Sequence, residues 1–417
     1  MKNILKQVIL EQKNTQKQST VLRNLPESLE NNNEILVISG VRRCGKSVLL
    51  NQIRSRRKEQ DYFLNFDDER LIRFTVDDFQ TLHETFIELF GEQKTFYFDE
   101  IQNVPQWERF VRRLYDSGFK VFVTGSNATM LSREMGTHLT GRYCSFELYP
   151  FSFSEFLLFN NLKNTEQDFF TTSGRAKLKT NFKTYFEFGG FPIYLQNQSD
   201  LFLKSLYESI LYRDVMVRNN LTHEREIIEL VNYLAGNVSR LFTYNSLAKI
   251  IGLKNATTIK NYIDYIQNTY LIFQVSRFDY SIKKQIQNSK KIYFIDNAIV
   301  RKFGFSFSDN SGHLLENLVF LELKRRGFEI FYHSQKYECD FIIRTGNQIT
   351  KAIQVSYVLD NEKTKDREIQ GLKEAMDIYK LETGFIITYD TEQEIKIEDK
   401  TIQIVPVWKW LLKTDVF

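Results

Sequence analysis

Cysteine, proline and glycine are all scarce in this chain of 417 residues. The three cysteines, Cys44, Cys144 and Cys339, lie far apart, odd in number and without a CxxC pair. That argues against a disulfide framework or a zinc ribbon and for a reducing interior. Eighteen glycines and five prolines are too few for long flexible tethers, so the domains are expected to pack on one another. Five histidines (His83, His138, His223, His313 and His333) show no metal-ligand spacing. No apolar run approaches the ~18 residues that a membrane span requires. An excess of one charge is lacking too: a formal +4 permits a local basic face but does not imply nucleic acid.

What is present is ordinary globular composition, 42% hydrophobic and 26% charged, which rules out a disordered chain or a collagen-like repeat. The length corresponds to about three domains on a prior of ~150 residues each. Thirty-six Phe and 21 Tyr give the cores large rings to bury. At the N-terminus, Ile4, Leu5, Val8, Ile9 and Leu10, interrupted by Lys6 and Gln7, suit an amphipathic helix and lack a signal peptide's apolar centre. The expected location is cytoplasmic.

From about Glu34 to Pro150 short apolar runs (Ile35–Ile38, Phe96–Phe98, Val121–Val123) alternate with longer mixed segments. This pattern predicts an α/β domain with a parallel sheet. The first run enters Gly40-Val41-Arg42-Arg43-Cys44-Gly45-Lys46-Ser47, a GxxxxGK[ST] phosphate loop, and Val48-Leu49-Leu50 begins an apolar helix after it. Glycines let successive backbone N–H groups face a triphosphate, and the helix N-terminus favours negative charge. Lys46 would reach the β- and γ-phosphates of ATP, and Ser47 would offer its hydroxyl to Mg²⁺. Cys44 inside the loop reads as a small side chain that fits there, or as a thiol that makes binding redox-sensitive.

The second strand ends in Asp99-Glu100. An acidic pair opening a helix would by itself suit the helix dipole. Behind a phosphate loop, Asp99 instead reads as a Mg²⁺ holder and Glu100 as the group that polarises an attacking water. The third strand runs into Gly125-Ser126-Asn127, where Ser126 or Asn127 would sense the γ-phosphate, unless the segment is a plain turn. Arg142 is a candidate arginine finger, a role for which Arg42 and Arg43 compete.

The loop Gly40–Ser47 resembles the GxRRxGKS loop of a prokaryotic AAA-type ATPase family. Phe98-Asp99-Glu100-Ile101-Gln102-Asn103-Val104, Trp107-Glu108, Thr124-Gly125-Ser126, Leu139-Thr140-Gly141-Arg142 and Pro150–Phe156 match the same pattern. Gly189-Gly190-Phe191-Pro192 resembles that family's lid segment, and Tyr212-Arg213-Asp214-Val215 the join to its second part. The resemblance implies a P-loop NTPase that binds ATP, with an uncharacterised C-terminal domain behind it.

Farther on, Phe242–Leu253 and Asn255–Ile263 read as two short helices, with Ile259, Tyr262, Ile263 and Ile266 on one face. A strand at Leu271–Arg277 and a basic connection through Lys283, Lys284, Lys290 and Lys291 follow. The whole resembles a winged helix-turn-helix. If it binds DNA, Thr257, Thr258, Lys260 and Asn261 would face the groove and the lysines would meet phosphate; the alternative is a lid or protein-docking module.

The last region resembles the PD-(D/E)xK nuclease core. That likeness implies acids around Mg²⁺, with Glu316, Glu338 and Asp340 as candidates and Gln354 in the second acid position. The lysine position holds Ser356. Lys351 falls on the face opposite Gln354, and Lys373 on a later helix is a candidate substitute. A degenerate fold used for binding is the expectation, with an active nuclease as the alternative.

The expected layout is an AAA-type ATPase domain with an N-terminal helix over 1–150, a helical lid and connector over 151–220, a winged-helix-like module over 221–290 and a nuclease-like domain over 291–417. The expected partners are ATP and Mg²⁺, further copies of the chain, and DNA, RNA or an unidentified protein at the C-terminal half, with no membrane.

Overall fold

A computed structural model of the chain describes residues 1–14, 21–126, 139–305, 310–359 and 362–413. These divide into two compact units, Met1–Tyr149 with Asn268–Tyr270, and Pro150–Gln267 with Leu271–Phe417.

In the first unit the three apolar runs become central strands buried on both faces, flanked by two further strands. The five are β1 (Ile35–Ser39), β2 (Phe63–Asn65), β3 (Thr95–Asp99), β4 (Lys120–Gly125) and β5 (Tyr143–Glu147). All neighbouring pairs are parallel, in the order β2-β3-β4-β1-β5. Parallel strands need crossover connections, and these are the helices α2 (Lys46–Arg56), α3 (Phe79–Phe90) and α4 (Trp107–Asp116). Phe79 of α3 stacks on Phe110 of α4 at 4.4 Å between centroids, and Tyr62 on Phe86 at 4.9 Å. The N-terminal helix α1 (Lys2–Asn14) buries Leu5, Val8 and Ile9 in the same core, whereas Ile4 and Leu10, counted with them in the sequence, are exposed. Because the strands are parallel, the carboxyl ends of β1, β3 and β4 meet at one edge.

The second unit begins with helices that include α5 (Phe153–Phe159), α6 (Thr172–Phe188) and α7 (Asp200–Ser209), the last continued as a π-helix over Ile210–Val217. Gly190 accepts from Phe151 N at 2.8 Å and donates its own N–H to the buried Asp296 at 2.7 Å. A Cβ at Gly190 would fall 2.4 Å from the Phe151 carbonyl oxygen, and one at Gly189 would fall 1.8 Å from Asp296. Helix α8 (Glu224–Gly236) precedes a three-stranded antiparallel sheet, ordered β6-β8-β7, of β6 (Leu241–Phe242), β7 (Ile272–Ser276) and β8 (Lys290–Phe294). Between β6 and β7 lie α9 (Tyr244–Ile251), capped by Thr243 and ended at Gly252 (φ 78°), and α10 (Ala256–Gln267). The buried face of α10 is Ile259, Tyr262, Ile263 and Ile266, as the spacing predicts. The limit expected between residues 290 and 291 falls inside β8.

After α11 (Asn297–Phe303) and α12 (Ser311–Arg325) comes a mixed sheet ordered β13-β14-β12-β11-β10-β9. Its strands are β9 (Glu329–Ser334), β10 (Glu338–Thr345), β11 (Gln348–Ser356), β12 (Thr383–Thr388), β13 (Gln393–Ile397) and β14 (Lys400–Pro406). β11, β12 and β14 run parallel, and the remaining neighbours are antiparallel. Leu372, Ala375 and Met376 of α13 (Glu362–Tyr379) cover Ile342, Ile386 and Ile404 of this sheet.

Candidate functional site

The edge where β1, β3 and β4 end is built around the glycine-rich loop. Gly40 has φ 147°, and a Cβ there would sit 2.2 Å from the Leu148 carbonyl oxygen, so only glycine fits. Arg43 (φ 67°) and Gly45 (φ 106°) are left-handed, the kind of backbone that forms anion-binding concavities. α2 starts at Lys46, which sets the partial positive charge of a helix N-terminus at the loop. The Lys46 ammonium is buried and donates to the carbonyls of Gly40 and Val41, each at 3.2 Å, with Glu100 3.7 Å away. Ser47 and Val48 are half-buried in the first turn of α2, as is Arg42 in the loop, whereas Arg43 is exposed.

Asp99, 2% exposed, ends β3. It accepts from Thr124 Oγ1 at 2.5 Å and bonds the Ser47 hydroxyl. Burial and the neighbouring Glu100 charge raise its carboxyl to about 6, against the opposing pull of Thr124, Ser47 and Lys46. Glu100 sits at φ 51°, a left-handed conformation of the kind that costs ~1–3 kcal/mol in a residue with a side chain and gathers at functional sites. Its N–H donates to Thr124 Oγ1 at 2.9 Å, and its carboxylate accepts from Gln102 Nε2 at 2.5 Å. The same Gln102 nitrogen lies 3.4 Å from Ser126 Oγ, which brings Ser126 into this network. Gln102 Oε1 is buried with no hydrogen-bond partner among the described residues, an acceptor left for something the site takes up. Asn127 lies outside the described residues.

Three groups here had no role assigned from the sequence. Thr124 bridges both acids, and Gln102 orients Glu100. Arg23, 6% exposed, ties the loop from a distance: Nη1 donates to Cys44 O and Nη2 to Tyr149 O, both at 2.6 Å. Gln52 accepts from the Arg23 N–H at 3.0 Å. The available signal for Arg23 was a lone arginine in an otherwise apolar and polar stretch, which has no chemical meaning without the tertiary contact. Cys44 is fully buried, its Sγ 3.3 Å from Leu148 O, and burial pushes its thiol up. It is a fitted small side chain rather than a ready thiolate.

Arg142 is not brought to this loop. Its carbonyl accepts from Ile35 N at 2.9 Å, at the start of β1, roughly 13 Å of strand from the loop end. Its guanidinium pairs with Asp116 at 2.9 Å near the surface.

The C-terminal candidates do meet. Glu316 of α12 and Glu338 and Asp340 of β10 gather around the Lys291 ammonium of β8 at 3.0, 2.7 and 2.9 Å. Lys291, expected on an exposed basic connection to phosphate, is 2% exposed, which corrects that reading. Burial alone would lower its ammonium, but Asp340 and Glu316 hold it well above the usual lysine range. Burial and then Asp340 raise Glu316 to about 7. Tyr293 donates to Glu316 at 2.6 Å, Val355 N to Asp340 at 3.0 Å, and Asp340 N to Gln354 at 3.1 Å; Gln354 in turn donates to Glu368. Lys373 pairs instead with Glu398 at 3.2 Å, so it does not supply the missing charge. The donor set does not fit Mg²⁺, because a lysine ammonium already occupies its centre.

Of the histidines, His333 is buried against Glu374 at 2.9 Å and His313 bonds Ser239 at 2.7 Å. His138 lies outside the described residues. Among the described residues no group of three or more His, Cys, Asp or Glu is arranged to hold a metal, and no helix is long and apolar enough to cross a membrane.

A parallel sheet whose first strand runs into GxxxxGKS, with a buried acid ending a nearby strand, defines a P-loop nucleotide-binding domain of the AAA type. The AAA domain pattern matches residues 32–157, and two domains of unknown function, DUF8612 and DUF4143, match 179–309 and 311–410. The chain belongs to the family that includes an uncharacterised protein of Methanocaldococcus jannaschii, MJ1544. The two are 38% identical over 431 residues, covering 99% of this chain and 96% of that protein. An uncharacterised protein of Haemophilus influenzae is 30% identical over 395 residues, 91% of this chain and 94% of its own. Among solved structures, AMPPCP-bound DnaA from Aquifex aeolicus is 16% identical with a TM-score of 0.25, over 58% of this chain and 85% of its own. RuvB from Thermotoga maritima is 12% identical with a TM-score of 0.27, over 69% and 93%.

Proposed function

We propose that this protein is a Mg²⁺-dependent ATPase in which the nucleotide state drives rearrangement of the C-terminal domains. The observation that carries this reading is the buried Asp99, bonded to both Thr124 and Ser47 within the same small space as Lys46 and Glu100. A metal-binding serine, a buried carboxylate, a phosphate-seeking ammonium and a second acid form the set that phosphoryl transfer to water requires. The residues fit the group: left-handed loop backbone, a helix N-terminus and a Gln102 oxygen without a partner among the described residues converge on the loop edge.

In this reading the loop amides of residues 40–48 and Lys46 hold the phosphates, and Ser47 and Asp99 hold Mg²⁺. The metal supplies neutralisation of phosphate charge when bound. Glu100, aimed by Gln102, orients water and takes its proton, and Ser126 reports through Gln102. Arg142, far from its own loop, acts on the nucleotide of a neighbouring copy. The exposed Thr257, Lys260 and Asn261 of α10 form the surface for a nucleic-acid or protein partner.

Lys46→Ala is expected to abolish ATP binding, and Glu100→Gln to keep binding while stopping turnover. Both are read by isothermal titration and phosphate release. Turnover unchanged in both variants eliminates the reading.

A further inference from the structure

We infer that the acid cluster of the C-terminal sheet carries its own cation, the Lys291 ammonium, where the resembled nuclease core holds Mg²⁺. The cluster therefore takes no divalent metal and cuts no phosphodiester bond. An ammonium has three N–H donors and no acceptor. Lys291 directs all three at carboxylates, those of Glu316, Glu338 and Asp340, at 2.7–3.0 Å. Mg²⁺ requires near-octahedral oxygen ligands at about 2.0–2.1 Å. An ion at the centre of these three acids would lie in contact with Nζ, with like charges opposed and no water between them.

Two of the acids have further donors as well. Glu316 Oε1 accepts from Tyr293 as well, and Asp340 Oδ2 accepts from the Val355 N–H. Gln354, in the second acid position, uses its oxygen on Asp340 N and its nitrogen on Glu368, which Arg367 neutralises at 2.5 Å. Ser356, in the lysine position, turns its hydroxyl to the Val358 carbonyl at 3.1 Å. Nor can Lys291 swing aside, since its side chain is 3% exposed and withdrawing it would leave buried carboxylates without a counter-charge. Lys291 and Tyr293 share one face of β8, so a single strand of the three-stranded sheet supplies both groups that close the cluster. The cluster thus ties β8, α12 and β10 together. This inference stands apart from the nucleotide chemistry of the first unit.

The test is Mn²⁺ titration of the full chain without nucleotide, read by electron paramagnetic resonance, alongside cleavage assays on DNA and RNA with Mg²⁺ or Mn²⁺. Wild type and Asp340→Asn are expected to bind the same number of Mn²⁺ ions and to cut nothing. Lys291→Met is expected to gain one Mn²⁺ per chain, which Lys291→Met/Asp340→Asn loses again. A wild-type Mn²⁺ that Asp340→Asn removes, or metal-dependent cleavage that Asp340→Asn abolishes, overturns the inference. So does a folded Lys291→Met chain that gains no ion. If Lys291→Met does not fold, the wild-type and Asp340→Asn comparison still decides.

Discussion

Thr124 Oγ1 donates to Asp99 Oδ1 at 2.5 Å, and the same oxygen accepts the Glu100 N–H at 2.9 Å. One hydroxyl on β4 therefore positions both acids at the end of β3, the first by its side chain and the second by its backbone. Thr124→Val keeps the shape and removes the bridge. It leaves a buried acceptor and a buried donor each short of a partner, at a cost of about 1–3 kcal/mol per group. Lower stability in urea, with turnover reduced at least about tenfold and ATP affinity changed less, is the expected result.

The Asp99 carboxyl, raised to about 6 by burial and by Glu100, gives a pH dependence of known sign. The native state holds this proton more tightly than the unfolded chain does. That contribution to stability is complete below about pH 4 and is lost as pH rises through about 6. Asp99→Asn mimics the protonated form at every pH. Without nucleotide it should be more stable than wild type at pH 7.5, by up to about 3 kcal/mol, and nearly equal to it at pH 4. With Mg²⁺ and ATP the order should reverse, because the amide is a poorer metal ligand. Denaturant unfolding across pH, with and without nucleotide, measures both.

Arg23 should matter for nucleotide affinity although it lies 17 residues before the loop. Its two forked bonds reach the Cys44 and Tyr149 carbonyls, a geometry that an ammonium cannot copy. Hydrogen bonds from a charged donor are worth about 1.5–3 kcal/mol each. Arg23→Met and Arg23→Lys are both expected to weaken ATP binding about tenfold or more, as measured by titration calorimetry, with lysine a poor rescue.

Arg142 offers a test of action between copies. Arg142→Ala should leave ATP binding intact and lower turnover by about 10³-fold, the effect of losing an arginine finger. Mixing Arg142→Ala chains with Lys46→Ala chains should restore part of the activity, since each supplies what the other lacks. Turnover in the mixture equal to the sum of the two separate chains would exclude a shared site.

The phosphate loop, the acids after it and the strands that carry them were legible because each is a local pattern, eight residues or fewer in length. The buried face of α10 was legible for the same reason, since 3.6-residue spacing needs no partner. Arg23 and Thr124 were not, because their roles come from contacts across 21 to 126 residues of chain, and a buried arginine or threonine looks like any other in sequence; Gln102 lies two residues from Glu100, but a glutamine there shows no direction until the backbone turns it back. β8 shows the boundary between the two cases. The run Ile292–Ile295 has the apolar character of a strand, but periodicity does not say which sheet a strand joins. Lys291 was accordingly read as part of a basic surface. The overlooked signal was a lysine beside Ile292, Tyr293 and Phe294, a run too apolar for either face of the strand to meet water.

The Lys291 cluster also limits how the second unit can be dissected. The acids lie within the segment 311–410 matched by one domain pattern, and their counter-ion lies within 179–309 matched by another. A fragment excised at residue 311 would leave the buried Glu316 and Asp340, and the half-exposed Glu338 beside them, without the lysine that pairs with all three, a loss that costs about 3–5 kcal/mol in comparable buried pairs. The two stretches therefore depend on one another through this ion pair, and cloning them separately discards the charge that lets the later one close.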